Sequence, residues 1–345
     1  MKKYNVAIVG ATGMVGQSLV QVLQERNFPL GELKLLASAR SVNLTVEVLG
    51  KKYNVEEAKP EAFAGVDVAF FSAGEAISKE LAPEAVRQGA VVIDNSNAFR
   101  MDEGVPLVVP EVNAAALADH QGIIANPNCS TIQLVVALQP LHQIAALKRV
   151  VVASYQAVSG AGKEALDELL QQSRAIIEGA SDFPKERIPH ANAKVQYQLA
   201  FNVVPQIDVF GDDGYCKEEM KIIRETRKIM GLPELKITAT TVRVPVLNGH
   251  SEAVNLEFVS AISAAEARAA LERAPGVIVL DDTAELSYPM PALQDGRDEV
   301  FVGRIRPDDS VQHGLNIWVV ADNIRKGAAT NSIQIAETLI ARGQL

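Results

Sequence analysis

A short apolar run, Val6-Ala-Ile-Val9, leads directly into Gly10-Ala-Thr-Gly13-Met-Val-Gly16, and an amphipathic run from Val15 to Leu23 follows. Four apolar residues ending in glycine read as a buried parallel strand. Strand, glycine turn and helix in that order form the opening of a dinucleotide-binding fold. Glycines permit the tight turn and close backbone approach, and a pyrophosphate sits on the helix N-terminus. The spacing here is G-x-x-G-x-x-G rather than G-x-G-x-x-G, so Gly10 and Gly13 are candidate cofactor contacts by context as much as by pattern. The competing reading is a plain glycine turn.

Leu33-Lys-Leu-Leu-Ala37 reads as the second strand. An NAD site commonly places Asp or Glu at this strand's end, against the ribose 2′-hydroxyl. This chain places Ser38-Ala39-Arg40-Ser41 there. Two hydroxyls and an arginine suit a 2′-phosphate, so NADP is the expected cofactor; an ordinary surface arginine is the alternative. Val66 to Ser72 reads as a further buried strand, and Ser72 and Gly74 at its end are expected to line the same cleft. A helix from about Ile77 to Gln88, a strand Ala90–Asp94, an extended Leu107–Asn113 and a strand Ile123–Asn126 complete this half. Arg100 follows a strand end, where a fixed cation binds a phosphate or carboxylate or simply makes a surface ion pair.

Asn126-Pro-Asn-Cys129-Ser-Thr131 comes next, followed by an apolar run Ile132–Leu138 that Pro140 closes. The pattern predicts a strand, a tight turn and a helix beginning at Cys129. A thiol at a helix start meets unpaired N–H groups and the positive end of the macrodipole, which favour a thiolate. Cys129 is then a nucleophile; the alternative is a small buried apolar residue.

Length and composition narrow the class. With 345 residues and 48% hydrophobic content, two domains with sizeable cores are expected. A net charge of −9 argues against a nucleic-acid or anionic-membrane binder. Two cysteines, Cys129 and Cys216, give no disulfide framework. The N-terminus shows no signal core, and the charge-free run Gly122–Leu147 contains Asn, Pro, Gln and His, so it reads as buried strand and helix rather than a membrane span. A cytoplasmic protein is expected.

After the cysteine helix the pattern changes. Val150–Val158 is β-prone, Lys163–Ile177 helical, and β runs recur at Lys236–Val244, Ser251–Ser260, Gly276–Leu280, Val300–Ile305 and Gly314–Ala321. Period-two alternation in some of them suggests a mainly antiparallel sheet with one covered face. Residues 182–213 read as irregular loop, and Asn323–Arg342 as a helix returning to the first domain. The fold class is therefore α/β: an N-terminal Rossmann-like dinucleotide-binding domain, residues 1–128 plus 324–345, and an α+β domain with a mainly antiparallel sheet, 129–323.

Val242-Arg243-Val-Pro-Val-Leu-Asn-Gly-His250 places a guanidinium and an imidazole around an extended segment. A cysteine nucleophile needs a base or charge partner, and His250 suits that role, or else is structural. Glu218 and Lys221, three apart on a helix running to Met230, share one face; a solvated ion pair is the plain reading.

Gly10-Ala-Thr-Gly13, Asn126-Pro-Asn-Cys129, Gln156-Ala-Val-Ser-Gly160, Phe201-Asn-Val-Val-Pro205, Glu218-Glu-Met-Lys221 and Arg243–His250 occur in the order of the aspartate-β-semialdehyde dehydrogenase family, which the chain resembles over almost its entire length. The resemblance implies NADPH-dependent reduction of L-aspartyl-4-phosphate to L-aspartate-4-semialdehyde and phosphate, a branch step toward lysine, threonine, methionine and diaminopimelate. It implies that Cys129 forms a thioester, His250 is the acid/base, and Gln156 orients the acyl group. Arg243 would bind the substrate carboxylate and Glu218 its ammonium, while Arg100, Asn128 and Lys221 would bind phosphate. Thr12, Gly13, Met14, Val15, Arg40, Ser41, Ser159, Gly160 and Asn323 would contact the cofactor. A homodimer is implied as well, with the 129–323 domain serving catalysis and dimerisation.

Two rivals share parts of this logic. An N-acetyl-glutamyl-phosphate reductase would have the same thiol and imidazole, but its substrate has no ammonium for Glu218. An inactive paralogue kept as a binding protein would be expected to lose the thiol. No metal site is expected, because Cys129 and His250 lack further ligands at suitable spacing.

Overall fold

The computed structural model describes residues 2–48 and 50–345. The chain divides into two compact units, Met1–Asn128 with Gly327–Leu345, and Cys129–Lys326.

The first unit is a seven-stranded sheet in the order β3-β4-β2-β1-β5-β6-β7. Its strands are β1 (Tyr4–Val9), β2 (Leu30–Ala37), β3 (Thr45–Val48), β4 (Lys51–Glu57), β5 (Val68–Phe71), β6 (Val91–Asp94) and β7 (Ile123–Ala125). All pair in parallel except the β3–β4 hairpin. Sequence patterning missed that hairpin, whose short strands bury only Val48 and Val55 among exposed polar and charged residues. Alternation along β1 sends Val6 and Ile8 to one face and Ala7 and Val9 to the other. The first face packs against helix α1 (Met14–Glu25) and the closing helix Thr330–Ala341, the second against α2 (Glu75–Arg87). Both faces are covered, so the inner strands carry no polar stripe. The segment expected to be extended through Asn113 turns instead into a short helix, α3 (Pro110–Asn113), because Pro110 pre-sets the helical φ at its first position.

The second unit opens with α4 (Cys129–Ile144). This helix runs through Pro140 rather than stopping before it; its middle turns are wholly buried, and packing outweighs the one hydrogen bond that proline removes. A six-stranded sheet follows, built from β8 (Leu147–Gln156), β9 (Lys236–Arg243), β10 (His250–Phe258), β11 (Val277–Val279), β12 (Val300–Asp308) and β13 (Gly314–Ala321). The order is β11-β12-β13-β10-β8-β9. The three central pairings are antiparallel, and the two edge strands pair in parallel. Helices α5 (Lys163–Ile177), α6 (Lys217–Met230), α7 (Ala264–Arg273) and α8 (Pro291–Gln294) complete it. Residues 182–213 contain no regular helix or strand. The chain rejoins the first unit at Gly327 rather than at 324, through a π-helical turn, Arg325–Ala329, that precedes the last helix, α9 (Thr330–Ala341).

Among the described residues no helix is long and apolar enough to cross a membrane.

Candidate active site

In the first unit the candidate cofactor residues gather at one end of the sheet. Gly10–Gly13 follow β1, Ser38–Ser41 follow β2, and Ser72–Gly74 follow β5. Strand β1 lies between β2 and β5, so the chain leaves it at the point where strand order reverses. Two glycines there are sterically required. Gly10 has φ +86°, and a Cβ on it would lie 2.9 Å from the Ser72 backbone. A Cβ on Gly16 would lie 2.2 Å from the Gly10 carbonyl oxygen. The N-terminus of α1 has no side-chain cap and no acidic residue in its first turn. An uncapped, uncharged helix start beside a tight glycine turn fits a pyrophosphate. Arg40 and Ser38 are exposed at the end of β2, where a 2′-phosphate would be met.

Arg100 is buried on the same unit. Its Nε donates to the Asn126 carbonyl at 3.0 Å and its Nη2 to the Asn95 carbonyl at 2.7 Å. These bonds tie the guanidinium to the ends of β6 and β7. Asn128, also buried, is the last residue of this unit's first segment.

The second unit brings together most of the remaining candidates. Cys129 is the first residue of α4, and its Sγ lies 3.2 Å from Nε2 of His250, the first residue of β10. The strands explain this convergence. Gln156 ends β8 and Arg243 ends β9, paired in register; β10 runs antiparallel to β8, so its first residue stands at the same edge. Gln156 Nε2 donates to Ser130 Oγ at 2.8 Å and to Glu218 Oε1 at 3.2 Å. Lys221 Nζ donates to Glu218 Oε2 at 3.1 Å. Glu218 is buried, so the pair that read as a solvated surface bridge is instead an inward-facing one.

One residue's backbone organises the charges. The Ala157 N–H donates to His250 Nδ1 at 3.1 Å, and the Ala157 carbonyl accepts from Arg243 Nη1 at 2.6 Å. Because Nδ1 accepts, the proton of the neutral ring belongs on Nε2, which faces the sulfur. Burial, then the adjacent Arg243 cation, lowers the His250 pKa to about 3. The imidazole is therefore neutral at ordinary pH and presents an N–H to Cys129. Burial also lowers the Arg243 pKa, opposed by the Glu218 carboxylate. Gly160 passes close over both: a Cβ there would lie 3.1 Å from Arg243 Nη1 and 3.2 Å from His250 Cε1.

Behind His250, Asn323 Oδ1 accepts from the Gly249 N–H at 2.8 Å, and its Nδ2 donates to Ser159 Oγ at 3.0 Å. Sequence reading missed Ser130, Ala157 and Asn248. The last donates to Asp322 at 2.8 Å and accepts from Ser159 Oγ at 2.9 Å. Only Ser130 carried a signal, its place beside the cysteine.

A mostly parallel sheet with a glycine turn after its first strand, and a unit holding a thiol, an imidazole and an arginine, are the parts of a nicotinamide-dependent dehydrogenase. Residues 5–120 match the semialdehyde dehydrogenase NAD-binding domain, and residues 138–326 the semialdehyde dehydrogenase dimerisation domain. The chain is 55% identical to the aspartate-semialdehyde dehydrogenase of Aquifex aeolicus, covering 99% of each protein. It is 53% identical to that of Bacillus subtilis, covering 97% of each. Among solved structures, aspartate semialdehyde dehydrogenase II of Vibrio cholerae complexed with ASA aligns with a TM-score of 0.94 at 45% identity, covering 99% of both chains. The Candida albicans enzyme with NADP aligns at 0.78 and 26% identity, covering 100% of both. The chain belongs to the aspartate-semialdehyde dehydrogenase family.

Proposed function

We propose that this protein catalyses the reversible NADPH-dependent conversion of L-aspartyl-4-phosphate to L-aspartate-4-semialdehyde and phosphate, with Cys129 as nucleophile. The observation that carries this reading is the 3.2 Å approach of Cys129 Sγ to a neutral, buried His250. The thiolate attacks the acyl carbon, the carbon–oxygen bond to phosphate breaks, and a thioester forms with phosphate leaving. NADPH, when bound, supplies the hydride that converts this thioester to a hemithioacetal alkoxide. Collapse of that alkoxide releases the aldehyde and returns the thiolate. The Nε2–H of His250 donates a hydrogen bond to whichever of sulfur and oxygen carries the charge.

Arg243 offers a planar fork for the substrate α-carboxylate, and Glu218 an anion for its ammonium. An N-acetylated substrate would leave the Glu218 carboxylate without that partner. Arg100, Asn128 and Lys221 serve the phosphate. Gly10, Thr12, Gly13, Met14 and Val15 hold the pyrophosphate side, and Ser38, Arg40 and Ser41 the 2′-phosphate. Ser72 and Gly74 of the first unit, and Ser159, Gly160 and Asn323 of the second, are the residues assigned to the nicotinamide. The cytoplasm is the proposed location, where the nicotinamide cofactor is available.

The sheet of the second unit supports a homodimer. Its inner face is covered by helices, whereas Tyr155, Trp318, Val151, Ala153 and Val242 stand partly exposed on the outer one. Tyr155 and Trp318 rings lie 5.7 Å apart there. An aromatic and aliphatic sheet face of this kind suits a self-complementary contact.

The test is oxidation of L-aspartate-4-semialdehyde followed by nicotinamide absorbance, with and without phosphate, for the native protein, Cys129→Ala and Arg40→Ala. Turnover should require phosphate and prefer NADP. It should fall at least ~10⁴-fold in the cysteine variant, as expected for loss of a covalent nucleophile. Arg40→Ala should reduce the NADP preference about tenfold. Phosphate-independent turnover, or none, would sink the assignment.

A further inference from the structure

The inner face of the second sheet is polar for longer than the reaction requires. Its first row holds His250, Gln156 and Arg243. The next row inward holds Glu252 on β10, Ser154 on β8 and Thr241 on β9, in register across the three strands. Beyond it the rows become apolar, beginning with Val254, Val152 and Ala239. Ser154 and Thr241 are accounted for. Ser154 Oγ accepts from Gln156 at 3.3 Å, and Thr241 Oγ1 lies 3.2 Å from Cys216 Sγ.

Glu252 has no such account. It is fully buried, and neither carboxylate oxygen has a hydrogen-bond partner. The polar side chain that acts on it is Gln133, itself 1% exposed, whose amide nitrogen and oxygen also have no hydrogen-bond partner. Gln133 still acts on the carboxyl, favouring its ionised form against the larger opposing effect of burial. Besides Glu252, the buried ionisable side chains on β8, β9, β10, α4 and α6 are His250 on its own strand, Arg243 on β9, and Glu218, Glu219 and Glu225 on α6; the lysines and other arginines of these elements are not buried. Among the described residues Glu252 makes no ion pair with any of them. An isolated carboxylate in such a place would cost several kcal/mol, so the group is the neutral acid.

The position matters more than the burial. Gln133 lies one helical turn after Cys129 on α4, and Glu252 lies two residues after His250 on the same face of β10. The two side chains meet directly behind the thiol–imidazole pair, joining the same helix to the same strand. We propose that Glu252 and Gln133 form a buried, uncharged clamp that sets the spacing of Cys129 and His250, making Glu252 a positioning residue for the reaction. This rests on the assignment of Cys129 and His250 as the reacting pair.

The clamp must stay neutral to work. A carboxylate so close to His250 would favour an imidazolium and oppose a thiolate on Cys129. Burial holds the Glu252 pKa well above the usual carboxylate range. Above about pH 4.3 the unfolded chain gives up this proton and the folded protein keeps it. The acid therefore costs stability increasingly as pH rises toward its raised pKa. Glu252→Gln keeps the shape and removes that cost.

The experiment compares native protein, Glu252→Gln and Glu252→Ala in melting temperature from pH 4.5 to 8.5, and in the rate of Cys129 alkylation by iodoacetamide over the same range. The Gln variant should gain melting temperature on the native protein steadily with pH and match its alkylation profile near neutrality within about twofold. The Ala variant, with the clamp open, should shift the midpoint of that profile and lower kcat at least tenfold with KM little changed. A pH-independent gap in melting temperature for the Gln variant would overturn the neutral acid. An alkylation profile and kcat unmoved by Ala would overturn the positioning role. The melting and alkylation readouts do not depend on which acyl phosphate is the substrate, so native protein that fails to oxidise the semialdehyde would count against the proposed function alone, and the alkylation profile of the Ala variant would then decide the positioning role.

Discussion

The two units place function in opposite parts of a sheet. In the first, the inner strands are apolar on both faces and the candidate cofactor residues lie beyond their ends, in glycine backbone, hydroxyls and the exposed Arg40. In the second, the candidate site is on the sheet, in buried side chains at the last positions of β8 and β9, the first position of β10, and the row behind them. A nucleotide presents a diphosphate that a peptide backbone can hold. A reactive acyl group needs a nucleophile, a proton donor and a cation fixed to tenths of an ångström, and strand register supplies that fixity. The first design costs little stability. The second buries Arg243, Glu218 and His250 together and relies on mutual satisfaction, with the uncharged Glu252 in the row behind.

The largest expected effect tests the backbone design. Gly16→Ala puts a methyl into the Gly10 carbonyl, an overpacking cost of about 3 kcal/mol at the turn itself. NADP affinity measured by calorimetry should fall on the order of 100-fold; affinity within twofold of native would show that the turn does not approach the cofactor.

Gly160→Ala tests the side-chain design at the corresponding point. The added Cβ would press on Arg243 and His250 together. A displacement of this size should lower kcat/KM by roughly 10- to 100-fold. A native rate would mean that the pair can yield without loss, and register would not be what fixes the site.

The smallest effect sharpens the electrostatic contrast. His250 stays neutral in the folded protein down to about pH 3, while the unfolded chain protonates it near 6.5. Between those values the unfolded state binds more protons, so native stability is full above pH 6.5 and declines as pH falls toward 3. His250→Asn should remove that decline. Its melting temperature relative to the native protein should rise by a few degrees from pH 7 to pH 4. A constant difference would place His250 in contact with solvent. The first unit has no counterpart among its candidate cofactor residues, whose functional groups are backbone amides, hydroxyls and the exposed Arg40.

Sequence made the first unit more legible than the second. Val6–Val9 followed by glycines is a local pattern, and the helix starting at Cys129 is another; both depend on neighbours in the chain. What was not legible came from register and burial. The β3–β4 hairpin escapes sequence reading because its apolar stripe is only two residues long on each strand, Val46 and Val48 against Tyr53 and Val55, among Lys51, Lys52 and Glu56. Pro140 was read as a helix stop because its local cost is real, and only the buried surroundings of α4 outweigh it. Glu218 and Lys221 read as a surface bridge, since spacing along a helix says nothing of which face is covered. Glu252 had no local mark at all.

By itself, then, the sequence determined the strand–turn–helix openings, the helical stretches and the residue types available for chemistry, since these follow from propensity and periodicity over a few positions. Tertiary structure decided which of those residues meet. Cys129 and His250 are 121 positions apart, and His250 and Ala157 are 93 apart. They meet because antiparallel pairing of β8 with β10, and parallel pairing of β8 with β9, bring three strand ends to one edge under the first turn of α4. The neutral state of His250 was decided the same way, because burial and a nearby Arg243 act through space and leave no trace in local sequence.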